Sequence, residues 1–231
     1  VSPEVQAGDA GDASPSAAVV VAIDGPGASG KSTVARAAAR ALGYAYVDTG
    51  AMYRTLAWHC LRSGIDPKDG RSVAAACRRW RTRLHVDQSV SPEVVLLVDG
   101  YRPKQEIRSK EVSSAASDVA VLASVRRWMK ERQRECVRFG SLVMEGRDIA
   151  TNVFPETDHK FWLDASASER VRRRRAQGVD ENLADRDRQD SQRAAAPLMV
   201  GLGAVRIDTT GRTVEAIVEE IVGRVLGSAG G

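Results

Sequence analysis

The stretch AVVVAIDGPGASGKST, residues 18–33, constrains the fold more than any other part of the chain. Its first half is a β-branched run ended by glycine, the pattern of a buried strand. Its second half, Gly25 to Ser32, matches G-x-x-x-x-G-K-[ST]. Gly25 and Gly30 admit backbone angles closed to other residues, so successive N–H groups can turn inward around a phosphate. A helix pattern follows at once over 31–42, and its positive N-terminal end adds to the attraction. A Gly-rich connector alone would not require a lysine and a hydroxyl at this spacing between a strand and a helix. The motif predicts a nucleoside triphosphate site built from Gly25, Pro26, Gly27, Ala28, Ser29, Gly30, Lys31, Ser32 and Thr33. Lys31 would reach the β- and γ-phosphates, and the Ser32 hydroxyl would ligate Mg2+. No Asn-Lys dipeptide occurs in the chain, so the N-K-x-D guanine signature is missing and ATP is the expected donor.

Strand–helix alternation continues beyond this unit. YAYVD reads as a second strand, AMYRTLAWHCLR as a second helix, SLVME and HKFWLDA as later strands, and VRID as the last. In the final helix Val214, Ile217, Val218, Ile221, Val222, Val225 and Leu226 recur at three- and four-residue spacing, one apolar stripe facing a core. Such alternation predicts an α/β fold, a mostly parallel sheet flanked by helices on both faces. TRLHVDQ and PEVVLLVDGYRP break the pattern as two short strands, with Asp99-Gly100 as a hairpin signal. They suggest a β-containing insertion over about 66–107 between core segments 18–65 and 108–169. An Arg-dense helical stretch follows over 170–194, and core sequence resumes over 195–231. Residues 1–17, small and polar with no hydrophobic period, are expected to be a disordered tail.

The longest early apolar run, 17–23, is seven residues, far short of a membrane span, and acids precede it, which argues against a signal peptide. Cys60, Cys77 and Cys136 are odd in number and widely spaced. They read as reduced core thiols of a cytoplasmic protein, and the solitary His59, His85 and His159 suggest no zinc site. Net charge is +4, and 28 of the 34 basic residues are arginine. That balance suits an anionic ligand, nucleotide or nucleic acid, since the guanidinium fork matches phosphate geometry. The Arg170–Arg175 region would serve a basic patch on a nucleic-acid-dependent ATPase equally well by charge alone. Aromatics are only 5% and scattered, which argues against base-stacking platforms, so no nucleic-acid partner is expected.

MEGRDIATNVFP, residues 144–155, sets Arg147 beside Asp148 just past a strand. The pair is either a surface ion pair or two groups aimed at a ligand needing both signs. Together with VAIDGPGASGKSTVARAAARALGYAYVDTGAMYR, VDGYRPKQEIRSKEVSSAASDVAVLASVR, RDRQDSQRAAAPL and IDTT, this stretch resembles the cytidylate kinases of the bacterial (d)CMP kinase type. The likeness covers essentially the whole chain after residue 17. It implies a P-loop NTPase fold with a small β-containing acceptor-binding insertion and a helical, Arg-rich lid. It further implies an enzyme that transfers the γ-phosphate of ATP to CMP or dCMP with Mg2+, acting as a monomer with no membrane partner.

Carried over position by position, the resemblance assigns the acceptor site to Thr49, Arg54, Ser117, Arg126, Arg147, Asp148, Arg186, Asp190 and Arg193. Arg54 and Arg147 would hold phosphate, Ser117, Arg126 and Asp148 would approach cytosine, and Arg186, Asp190 and Arg193 would close with the lid. Lys31, Arg147, Arg186 and Arg193 would stabilise the transferring group, and Arg170 and Arg174 would supply further lid cations. Cytosine suits this set, because a carboxylate accepts from its exocyclic amine while an arginine donates to its ring acceptors. Three positions depart from the pattern. Ala28 stands where glycine is common and is tolerable with a negative φ; Ala150 replaces glycine and needs the backbone there not to be left-handed; Gly203 stands where aspartate is frequent. The lid segment, 176–184, also looks shorter than in many relatives.

Overall fold

Strand β1 (Val20–Asp24) is buried along its whole length, as its β-branched run requires, and lies inside a twisted sheet. The computed structural model describes residues 18–176, 188 and 197–227. The expected tail and most of the expected lid, including Arg186, Asp190 and Arg193, lie outside the described residues. The other elements are α1 (Lys31–Leu42), β2 (Ala45–Asp48), α2 (Thr49–Arg62), α3 (Gly70–Arg79), β3 (Thr82–Asp87), β4 (Glu93–Val98), α4 (Lys110–Ala120) and α5 (Ala123–Arg134). Then come β5 (Leu142–Gly146), β6 (His159–Asp164), α6 (Ala167–Ala176), β7 (Val205–Asp208) and α7 (Val214–Gly227).

Among the described residues the strands form one seven-stranded sheet in the order β3-β4-β2-β5-β1-β6-β7. All neighbours are parallel except β3 and β4. The expected α/β architecture with helices on both faces is present. Side chains alternate across the sheet, so Val20, Ala22, Leu142 and Met144 pack with residues of α2–α5, while Val21, Ile23, Val143 and Phe161 pack with α1 and α7. The α7 stripe holds through Val214, Ile217, Val218, Ile221 and Val225. Leu226 instead is 59% exposed, because a residue directly after Val225 is turned about 100° away from the buried face.

The Asp99-Gly100 signal makes a tight turn, but not the one joining β3 to β4. Asp99 (φ 49) and Gly100 (φ 80) both take left-handed angles, as a two-residue hairpin turn demands. The turn closes a single bridge between Val98 and Tyr101, whereas the β3–β4 connection runs through 88–92. The segment 66–107 also contains α3 and joins the main sheet through one Tyr46–Glu93 pairing, so it is mixed in structure and continuous with the core sheet.

The condition placed on Ala28 fails: its φ is +58. A Cβ in that region costs about 1–2 kcal/mol, which accounts for glycine being common there. Ala150 is not left-handed, so its substitution is benign on that ground. Gly203 has φ +76 in a turn closed by Ala204 N–H to the Gly201 carbonyl, and nothing lies within 4 Å of where its Cβ would be. Glycine there suits the backbone.

Two outcomes are expected. Ala28→Gly should raise the thermal unfolding midpoint or leave it unchanged, since relief of the left-handed strain offsets the greater freedom of glycine when unfolded, about 0.4–1 kcal/mol; a lower midpoint would contradict the strain. All three thiols are buried, and burial pushes Cys60 and Cys136 up to about 12 and Cys77 to about 11. A colorimetric disulfide reagent should therefore titrate no thiol in the folded protein and all three after denaturation.

Candidate active site

The phosphate loop leaves β1 at Asp24. Gly25 is forced by two features: its φ is 151, and a Cβ there would sit 2.0 Å from the Leu163 carbonyl oxygen of β6. Gly30, φ 93, ends the loop as the N-cap of α1 without a side-chain cap, so the first N–H groups of that helix remain available to an anion. Lys31 is 5% exposed; its ammonium donates to the Pro26 carbonyl at 2.6 Å and the Ser29 hydroxyl at 3.3 Å.

Strand β5 lies beside β1 with Ile23 opposite Glu145 and Asp24 opposite Gly146. This register delivers Arg147 and Asp148 to the rim of the loop. The chain then makes a single π-helical turn, Ile149–Val153, a wide turn often found at functional sites. Its first two N–H groups, from Ile149 and Ala150, bond to the Asp24 carboxylate at 2.9 and 2.8 Å. Burial pushes the Asp24 carboxyl up to about 6, and those two N–H groups oppose the shift.

Arg147 and Asp148 are directed to different partners. Arg147 donates to the Gly25 carbonyl at 3.2 Å. Asp148, buried, accepts from Arg126 of α5 at 2.5 Å and from the Asn152 amide at 2.9 Å. Both bonds land on Oδ2, so Oδ1 meets no hydrogen-bond donor among the described residues. Arg126, also buried, is fixed further by donating to the Ala120 carbonyl at 3.1 Å.

From the β2 side, Asp48 caps α2 by accepting from Ala51 N–H at 2.7 Å and pairs with Arg54 at 3.1 Å. Thr49 donates to the Glu145 carbonyl at 2.7 Å. The Tyr46 hydroxyl donates to the Glu145 carboxylate at 2.8 Å. Burial first, and then the charge of Asp48, raise the Glu145 carboxyl above its usual range, opposed by Lys31. Ser117 of α4 donates weakly to the Ser113 carbonyl, 3.4 Å.

These groups surround one cleft of roughly 230 Å³ at the carboxyl end of the parallel strands, where open α/β sheets bind ligands. Gly27 through Thr33, Thr49, Arg54, Ser117, Arg126, Arg147 and Asp148 all line it; Gly25 and Pro26 do not. Arg174 reaches the cleft, and Arg170 donates to the Gly27 carbonyl at 3.3 Å. Sequence reasoning passed over Asp48, Tyr53 and Glu145, which also line it. The signal was present for two of them, as each acid is the last or next-to-last residue of a parallel strand. Among the described residues no cluster of three His, Cys, Asp or Glu could hold a metal by itself. The Ser32 hydroxyl, with Asp48 and Glu145 across the same cleft, suits Mg2+, which shares its oxygen ligands with phosphates and water. No helix is long and apolar enough to cross a membrane among the described residues.

Comparison with known proteins places the chain among relatives. The cytidylate kinase of Symbiobacterium thermophilum is 41% identical over 215 residues, 88% of this chain and 94% of that protein. The cytidylate kinase of Geobacillus kaustophilus is likewise 41% identical over 215 residues, 88% of this chain and 95% of that one. A bifunctional pantoate ligase/cytidylate kinase of Synechococcus elongatus is 40% identical over 216 residues, and the match spans only 41% of its length. Residues 21–226 match the cytidylate kinase family profile, and the chain belongs to that family.

Proposed function

We propose that the protein transfers the γ-phosphate of ATP, with Mg2+, to CMP or dCMP. The observation that carries this reading is Asp148, a buried carboxylate with one oxygen held by Arg126 and Asn152 and the other without a donor among the described residues, in the same cleft as the phosphate loop. An acceptor-only oxygen suits the exocyclic amine of cytosine. Uracil offers a carbonyl at that position, so two lone pairs would face each other at a cost of about 1–3 kcal/mol. Arg126 would donate to the ring acceptors, and Ser117 lines the same cleft.

At the other end Arg54 and Arg147 would hold the acceptor phosphate, and Lys31 with the N–H groups of Gly27–Thr33 would hold the donor phosphates. The acceptor needs no general base, because a phosphate monoester with a second pKa of about 6 is already nucleophilic at neutral pH. The barrier lies in bringing two polyanions together and in the charge that shifts along the reacting axis. Fixed cations meet that barrier without reorganising. Ser32 would help to hold Mg2+, which would supply further charge neutralisation at the phosphates. In this reading 66–107 is the acceptor-side insertion, although among the described residues none of it lines the cleft, and Arg186, Asp190 and Arg193, outside the described residues, would reach sugar and phosphate. The buried thiols suit a reducing, cytoplasmic setting.

A coupled assay of ADP release across CMP, dCMP, UMP and AMP should give kcat/KM highest for CMP or dCMP; equal rates with UMP would overturn the base assignment. Lys31→Ala should lower kcat by about a thousandfold while leaving the fold intact, because a fixed cation at developing charge is lost; near-normal turnover would exclude its role. In Asp148→Asn the Asn oxygen can take over the bonds from Arg126 and Asn152, turning the amide N–H toward the base. The CMP-over-UMP preference should then fall by about tenfold or more, with KM for ATP little changed.

A further inference from the structure

A residue 180 positions from the phosphate loop holds its backbone in place. Thr209, directly after β7, is 1% exposed, and its hydroxyl donates to the Ser29 carbonyl at 2.9 Å. The same hydroxyl accepts from Arg173 Nη1 at 2.9 Å, while Arg173 Nη2 donates to the Thr209 carbonyl at 2.9 Å. Arg173 belongs to α6, and its Nε is anchored one turn back on Glu169 at 2.8 Å. Thr209 N–H is in turn fixed on the Asp164 carbonyl of β6 at 2.8 Å. Glu169, Arg173, Thr209 and Ser29 therefore form one continuous hydrogen-bonded chain from α6 to the loop. The packing is close: a Cβ on Gly30 would come within 3.3 Å of Arg173 Nη1.

The consequence follows from peptide geometry. In a trans peptide the carbonyl and the next N–H point in opposite directions. Holding the Ser29 carbonyl on Thr209 therefore turns the Gly30 N–H away from Thr209. Arg170, also on α6, fixes the Gly27 carbonyl and by the same rule orients the Ala28 N–H. Two loop donors thus depend on one helix, and that helix leads into 177–194.

We propose that Thr209 and Arg173 are positioning residues for the donor nucleotide: together they aim the Gly30 N–H at a triphosphate oxygen and tie the loop's geometry to α6. This rests on the reading of Gly25–Thr33 as the ATP site. Neither residue touches the reacting atoms, so their loss weakens ATP more than CMP.

The test compares Thr209→Val, Thr209→Ser and Arg173→Met in the full chain. It uses calorimetric titration with ATP in the absence of acceptor, steady-state kinetics varying ATP and CMP separately, and thermal unfolding. Thr209→Val should raise the ATP dissociation constant and KM about tenfold and leave KM for CMP within about twofold, as expected when a buried acceptor loses its donor. Thr209→Ser, which restores the hydroxyl, should behave as wild type, and Arg173→Met should shift ATP in the same direction by a smaller factor. Unchanged ATP affinity in Thr209→Val, equal impairment in Thr209→Ser, or equal losses for ATP and CMP would each overturn the inference. Should Thr209→Val fail to fold, unchanged ATP affinity in Arg173→Met overturns it and weakened affinity supports it. A wild-type chain that itself bound no ATP would overturn the underlying reading, and this one with it.

Discussion

The parallel register between β1 and β5, with Asp24 beside Gly146, is the constraint on which the site depends. It brings a loop that begins at Gly25 against a turn that begins at Arg147, two segments more than a hundred residues apart. Shifting the register by one residue would send every side chain of β5 to the opposite face. Both faces are buried, so the two hydrophobic clusters leave no room for such a slip. The fold stabilises the site's geometry through ordinary packing, and Asp24 completes it by accepting two N–H groups of the turn that carries Asp148.

In and behind the cleft, buried acids are each matched to a fixed partner. Asp24 is held by backbone N–H groups, Glu145 by the Tyr46 hydroxyl, and Asp148 by Arg126 and Asn152. Buried ions are costly unless such bonds satisfy them, and removing one partner strands the other. The arrangement gives each carboxylate one orientation. For Asp148 that orientation leaves a single oxygen without a donor among the described residues, and under the proposed function this asymmetry would discriminate two bases that differ by an amine and a carbonyl.

Features set by local chemistry were legible in the sequence. The phosphate loop, its flanking strand and helix, and the α7 stripe needed only nearest neighbours or a helical period. The features that escaped depend on partners remote in sequence. Asp99-Gly100 signalled a tight turn, but no local rule says which strands a turn will join. Leu226 looked like part of the apolar stripe because its spacing fits the helical period, but it lies one residue past Val225 and turns off the buried face. The left-handed φ of Ala28 follows from the path of the loop, which the residue itself disfavours. Arg147 and Asp148 were legible as important, and their separate partners became visible only when β1, α5 and the π-helical turn were brought together. Thr209 carried no signal beyond the IDTT stretch, since its role lies in a carbonyl 180 residues earlier.

The most direct test is a crystal structure with CMP and a non-hydrolysable ATP analogue bound together. The analogue's phosphates are expected against Gly27–Thr33 and the cytosine amine within about 2.9 Å of Asp148 Oδ1, with Arg126 still on Oδ2. A base bound elsewhere in the cleft, with Asp148 contacting only Arg126 and Asn152, would contradict this expectation.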